Sequence, residues 1–189
     1  MFKKFNPIFY IILFFCNFIN LVSYPIAWAD EIQAAVATNF YNPFKTVVKQ
    51  FENKTGHNVI IITGSTGKLY AQIVNGAPFD VFLSADSLRP KLLMQNGRAV
   101  SGTQYSYAFG KITLWSPNPN VILESVKSTL LKSKFSHIAI ANPTTAPYGK
   151  ATLQALERIG LWDRLKPLLV QGENIGQTFQ FVFSENAEL

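Results

Sequence analysis

Apolar runs of strand length alternate along this chain with segments of helical period. Ile32 to Ala37 is a short apolar run and reads as a strand. Phe40, Phe44, Val47, Val48 and Phe51 then recur at helical spacing, which places them on one face of a helix. Asn53-Lys54-Thr55-Gly56 ends it with polar residues and a C-capping glycine. Val59 to Thr63 is a β-branched strand, and Gly64-Ser65-Thr66-Gly67 turns into a second helix, Lys68 to Val74, closed by Asn75-Gly76. Phe79 to Leu83 is the third strand. Leu88 to Asn96 is the third helix, with Pro90 tolerated in its first turn.

This β-α-β-α-β-α order predicts an α/β protein whose mainly parallel sheet is covered on both faces. Tyr107 to Trp115 reads as a further strand, followed by a loop marked by Pro117 and Pro119. Ser125 to Lys132 is helical, His137 to Ala141 a buried strand, and Ala151 to Gly160 a helix with Leu153, Leu156 and Ile159 inward. Leu168 to Val170 is a short strand before a last helix, Gln177 to Phe183. Ser184-Glu185-Asn186-Ala187-Glu188-Leu189 reads as a turn entering another strand, so the expectation is a chain cut short.

The first 29 residues have a different character. Lys3 and Lys4 precede a largely apolar run, Ile8 to Val22, and Ala27-Trp28-Ala29 fits the small-x-small pattern of signal peptidase. A secretory signal peptide over residues 1–29 is expected, in preference to a membrane anchor. Lipid attachment at Cys16 is disfavoured by the bulky Leu13-Phe14-Phe15 before it. Removing this leader removes the only cysteine, and with it any disulfide, thiol nucleophile or sulfur metal ligand. His57 and His137 are far apart, with no second ligand at metal spacing, and each leads into a strand.

The whole chain carries 17 Lys and Arg against 11 Asp and Glu. All the acids follow the leader, which holds two of the lysines, so the exported part stays mildly cationic and suited to a small anion. Its basic residues are scattered, without the clustering that nucleic-acid binding needs.

Chemistry concentrates in turns rich in hydroxyls, amides and glycine: Ala37-Thr38-Asn39, Gly64-Ser65-Thr66-Gly67, Asn174-Ile175-Gly176, and the loop from Asn142 to Gly149 with Thr144, Thr145, Pro147 and Tyr148. In an open parallel sheet such turns gather at the carboxyl ends of the strands. Each opens a helix whose first N–H groups lack partners and carry partial positive charge, a setting for an anion. N-capping explains any one turn alone; several converging in an exported chain favour binding. Gly64 to Lys68 is no P-loop, which needs four residues between its glycines and Ser or Thr after the lysine. Ser65 lies in no G-x-S-x-G elbow and neither histidine has an evident triad partner, so an enzyme is not expected.

Val36-Ala37-Thr38-Asn39-Phe40, the stretch Gly64-Ser65-Thr66-Gly67-Lys68-Leu69-Tyr70-Ala71-Gln72-Ile73, the stretch from Asn75 through Gly76-Ala77-Pro78-Phe79-Asp80 to Asp86, and Ala141-Asn142-Pro143 with Ala146-Pro147-Tyr148-Gly149 resemble the periplasmic molybdate-binding proteins of ABC importers. The resemblance runs from about Glu31 to the C-terminus. The Gly-Ala-Pro-x-Asp stretch is shared by the wider superfamily, and the Thr38-Asn39 and Ala146 to Gly149 loops are more specific to the molybdate branch.

The resemblance implies a two-lobed type II periplasmic binding-protein fold, with residues 30–108 as a first lobe lacking its return segment, residues 109–189 as a second, and a hinge near Phe109. It implies capture of molybdate or tungstate between the lobes and delivery to a membrane permease, in the periplasm, by a monomer without cofactor or direct metal ligands. Thr38, Asn39, Ser65 and Thr66 would donate from the first lobe; Tyr148 and the backbone N–H near Ile175 would donate from the second. Ser65 and Thr66 remain alternatives as the direct donor. A deprotonated tetrahedral dianion has only acceptors and suits such a donor cage, whereas hydrogen phosphate needs an acceptor that these turns do not offer. The alternatives are a carrier of sulfate or another oxyanion and a secreted enzyme on the same fold.

Overall fold

The computed structural model describes residues 31–189, so the signal-peptide expectation for residues 1–29 lies outside the described residues. Glu31 to Leu189 form one unit built around two separate parallel sheets. In the first, β1 (Glu31–Ala37) lies between β2 (Asn58–Gly64) and β3 (Val81–Leu83), with Ala34 opposite both Ile61 and Val81. The second pairs β4 (Ile138–Ala141) with β5 (Leu169–Gly172).

Helices join the strands in right order for parallel pairing: α1 (Tyr41–Thr55), α2 (Thr66–Val74), α3 (Leu88–Gln95), α4 (Val126–Lys132), α5 (Pro147–Arg158), the short α6 (Trp162–Leu165) and α7 (Ile175–Phe183). Gly56 ends α1 in the left-handed region at φ 75°, donating to Glu52 O at 2.9 Å, a geometry that costs a side chain but not glycine. Asp80 binds β3 to β1: its carboxylate accepts from Gln33 N–H at 2.8 Å and its own N–H donates to Gln33 O.

The second sheet sits on a dense core of Leu130, Ile138, Ile140, Leu156, Leu161, Leu165 and Leu189, in which Leu156 of α5 is buried as its spacing requires. The first sheet departs from the expected two-sided cover. Residues 34–37 of β1 are buried, but Ile60 and Val81 on the flanking strands are exposed. On α1 only Val48 of the apolar stripe is buried, while Val47 and Phe51 face water. Sheet edges and a helix packed only on one narrow line leave these apolar groups uncovered among the described residues.

Tyr107 to Trp115, expected as a strand, is a segment of no regular structure, without ladder partners among the described residues; its β-rich composition is not enough without a neighbouring strand to receive its backbone bonds. The last residues form no strand of their own but run beside β4: Ala139 N–H donates to Leu189 O at 2.8 Å and Glu188 N–H to His137 O, with Ala187 and Leu189 buried.

Candidate functional site

Four strand ends deliver four turns to one place. After β1 the chain makes a 3-10 turn, Thr38–Phe40; after β2 it enters α2 at Thr66; after β4 it enters α5 at Pro147; after β5 it enters α7 at Ile175. Thr38, Asn39, Ser65, Thr66, Tyr148 and Ile175, all singled out in the sequence, line one small cavity together with Ala37, Gly64, Ala85, Ala146, Pro147 and Asn174. Its free volume is about 10 Å³, room for no more than one water molecule.

The hydroxyls differ in what they already do. Thr38 Oγ1 donates to Gly64 O at 3.1 Å, so its one proton is engaged across the β1–β2 ends. Thr66 Oγ1 is wholly buried and accepts from Ala85 N–H at 3.0 Å, fastening the start of α2 to the exit of β3. Ser65 Oγ is buried and directed at Glu173 Oε1 across a long 3.5 Å. Asn39 Nδ2 donates to Tyr148 Oη, also at 3.5 Å. Ser65 and Asn39 are thus the more weakly committed donors. At α7, Asn174 Oδ1 accepts from Gly176 N–H at 2.9 Å and Gln177 N–H at 3.1 Å; this N-cap leaves the Ile175 N–H as the first free donor of that helix.

A carboxylate stands at the rim, against the expectation of a purely donating surround. Glu173 pairs with Lys68 at 2.9 Å and faces Ser65. It directly precedes Asn174, inside a loop already marked by its amide and glycine; only the fold shows that it meets Ser65, 108 residues earlier. Asp86, by contrast, is engaged at the start of α3: Oδ1 accepts from Arg89 N–H at 3.0 Å and Oδ2 pairs with the Arg89 guanidinium. Beside the cavity Tyr107 donates to Ser84 O at 2.8 Å and packs on Phe40 at 4.8 Å between ring centroids. Burial, and then the neighbouring Tyr148, push the Tyr107 phenol above its usual pKa, which keeps this donor protonated.

Besides the long Asn39–Tyr148 and Ser65–Glu173 bonds, shorter contacts tie the turns of the first sheet to those of the second. Gly67 N–H donates to Thr145 O at 2.8 Å, Arg89 Nη2 to Thr144 O at 3.3 Å, and Lys68 pairs with Glu173.

With this geometry in hand, the likeness to known proteins becomes specific. The family described as bacterial extracellular solute-binding protein matches residues 32–189. The chain belongs to that family. As a solute-binding protein it is similar to the molybdate-binding protein ModA of Azotobacter vinelandii, 48% identical over 86% of this chain and 64% of the relative. It is also similar to ModA of Rhodobacter capsulatus, 44% identical over 85% of this chain and 63% of that protein. The chain therefore spans just under two thirds of the length of these curated relatives. Among solved structures, the Azotobacter vinelandii periplasmic molybdate-binding protein superposes with a TM-score of 0.79 at 40% identity, over 83% of this chain and 68% of that one.

Proposed function

We propose that this solute-binding protein captures molybdate, or tungstate, in the cavity bounded by Thr38, Asn39, Ser65, Thr66, Tyr148 and Ile175, and passes it to a membrane permease from the periplasm. The observation that carries the reading is the meeting of four helix-opening turns, from four parallel strand ends, around one cavity lined by hydroxyls and an amide. Helix starts and neutral donors hold a dianion without a countercharge. The names of the relatives supply the metal, which donor chemistry alone does not select.

A cavity of this size is smaller than a tetrahedral oxyanion, so capture requires its walls to part and close again. In the two-lobe reading, residues 30–108 carry the first sheet and residues 109–189 the second, with the exposed Phe109 near the hinge. The contacts to be broken then include Gly67 to Thr145, Arg89 to Thr144, Lys68 to Glu173 and the long Ser65 to Glu173 and Asn39 to Tyr148 bonds, of which the ion pair is solvent-exposed and weak. The protein acts as a monomeric carrier with no resident cofactor and no chemical step.

Glu173 favours one second reading, because its carboxylate can accept the proton that hydrogen phosphate carries. Titration with molybdate, tungstate, sulfate and phosphate, followed by tryptophan fluorescence and melting temperature, separates the readings. A thermal shift with molybdate or tungstate is expected. A response to phosphate or sulfate with none to molybdate would reassign the ligand.

A further inference from the structure

Gly110 approaches Tyr148, at the cavity, from the irregular segment that follows Tyr107. A β-carbon built on it lies 2.0 Å from Tyr148 Oη, 3.0 Å from Cζ and 3.6 Å from Cε2, so its three nearest neighbours all belong to Tyr148. No positive φ demands glycine here, because Gly110 is absent from the left-handed glycines of the described chain. What demands it is the phenol.

We propose that Gly110 is a positioning residue for the ligand site: its missing side chain sets where the Tyr148 hydroxyl stands. The inference rests on the reading that Tyr148 donates to the bound oxyanion. Both partners are fixed on their far sides. Tyr107, three residues earlier, is anchored by its bond to Ser84 O and by Phe40, which limits how far the segment carrying Gly110 can retreat. Tyr148 lies in the first turn of α5, and the next residue, Gly149, is wedged so closely that a β-carbon there would sit 2.1 Å from Ala141 O. The base of Tyr148 therefore cannot shift toward β4, and Asn39 meets its hydroxyl from the first sheet.

A methyl group at 110 leaves the phenol tip as the yielding part. Restoring an ordinary carbon–oxygen approach of about 3.3 Å moves the hydroxyl by more than about 1 Å. A hydrogen bond to a small rigid anion does not survive such a displacement. The fold does survive it, since a side-chain tip moves and no backbone does.

The test is a double-mutant cycle on the whole chain, with molybdate affinity from calorimetry and the ligand-free melting temperature for wild type, Gly110→Ala, Tyr148→Phe and the double variant. Gly110→Ala is expected to weaken binding by about 10- to 100-fold, the range of one lost hydrogen bond to a charged group. Adding it to Tyr148→Phe should cost little more, because the displaced hydroxyl is already gone. If Gly110→Ala also lowers the melting temperature, the double variant should recover it. Wild-type affinity in Gly110→Ala, fully additive losses, or a melting loss that Tyr148→Phe leaves uncorrected each overturn the proposal. Unchanged binding in Tyr148→Phe overturns instead the donor reading on which it rests.

Discussion

Ser65 and Thr66 are adjacent, both buried and both at the cavity, yet their surroundings predict opposite consequences of losing the hydroxyl. Thr66→Val keeps the shape and β-branching while removing the acceptor for Ala85 N–H, now bonded at 3.0 Å. A stranded buried donor costs about 1–3 kcal/mol, and the partial exposure of Ala85 places this case in the lower half, about 1–2 kcal/mol. For a chain of this size that is roughly 2–8 °C in melting temperature. Ser65→Ala gives up only a 3.5 Å contact to Glu173, so the ligand-free melting temperature should change by less than about 2 °C. Its cost should fall on molybdate affinity, by about 1–3 kcal/mol for a lost bond to a charged group. Thermal melts by circular dichroism and calorimetric titration of both variants give the four numbers needed. If Thr66→Val melts like wild type, or Ser65→Ala binds like wild type, this division of labour is refuted.

Three further outcomes follow from other parts of the molecule. Thr38→Ala should loosen the β1–β2 ends of the ligand-free protein, because its one hydroxyl proton holds Gly64 O, and should weaken molybdate binding by about 1–3 kcal/mol if that proton turns from Gly64 O to the anion; a melt and calorimetry read the two effects separately. Leu165→Ala, in the core under the second sheet and 1% exposed, should cost about 2–5 kcal/mol in urea unfolding without any direct effect on the cavity. Glu188 accepts from His137 N–H at 2.9 Å and Ser136 N–H at 3.2 Å, and the His137 bond is the main reason its pKa is held below the usual carboxylate value. A lowered folded pKa stabilises above the unfolded carboxylate value and is lost as pH falls through the folded one. Glu188→Gln should therefore be slightly less stable than wild type at pH 7, by under about 1 kcal/mol given the exposure, with the gap closing in acid; a constant gap across that range contradicts this account.

Much of this arrangement was legible before any coordinates. The apolar runs at 32–37, 59–63 and 137–141 became β1, β2 and β4, because local spacing and parallel-sheet burial call for the same residues. The turns that hold Thr38, Asn39, Ser65, Thr66, Tyr148 and Ile175 read as helix-opening, and the topology rule that gathers such turns at strand ends is why these residues share a cavity; the choice of these six as donors comes from the family resemblance, and their contact with a ligand is the proposal above. Tyr107 to Trp115 has the composition of a strand and forms none, because composition says nothing about whether a partner is at hand. The exposure of Val47, Phe51, Ile60 and Val81 escapes the pattern for a similar reason: period shows which face is apolar, not what lies on it. Glu173 and Gly110 were invisible for a third reason. Their meaning lies in meeting Ser65 and Tyr148, contacts that no local pattern encodes.

The closing contact of the cavity, Asn39 to Tyr148, joins residues 109 positions apart, and the Ser65 to Glu173 contact spans 108. No fragment of the chain carries the whole ring of donors, so an unfolded chain offers an anion nothing to hold. Any ligand of this cavity is then a ligand of the native state alone, and at a hundredfold excess over its Kd it adds about 2.7 kcal/mol to global stability. In an environment with proteases, that ties lifetime to ligand supply: a chain that binds a ligand in this cavity would persist longer when the ligand is plentiful and be trimmed away sooner when it is scarce.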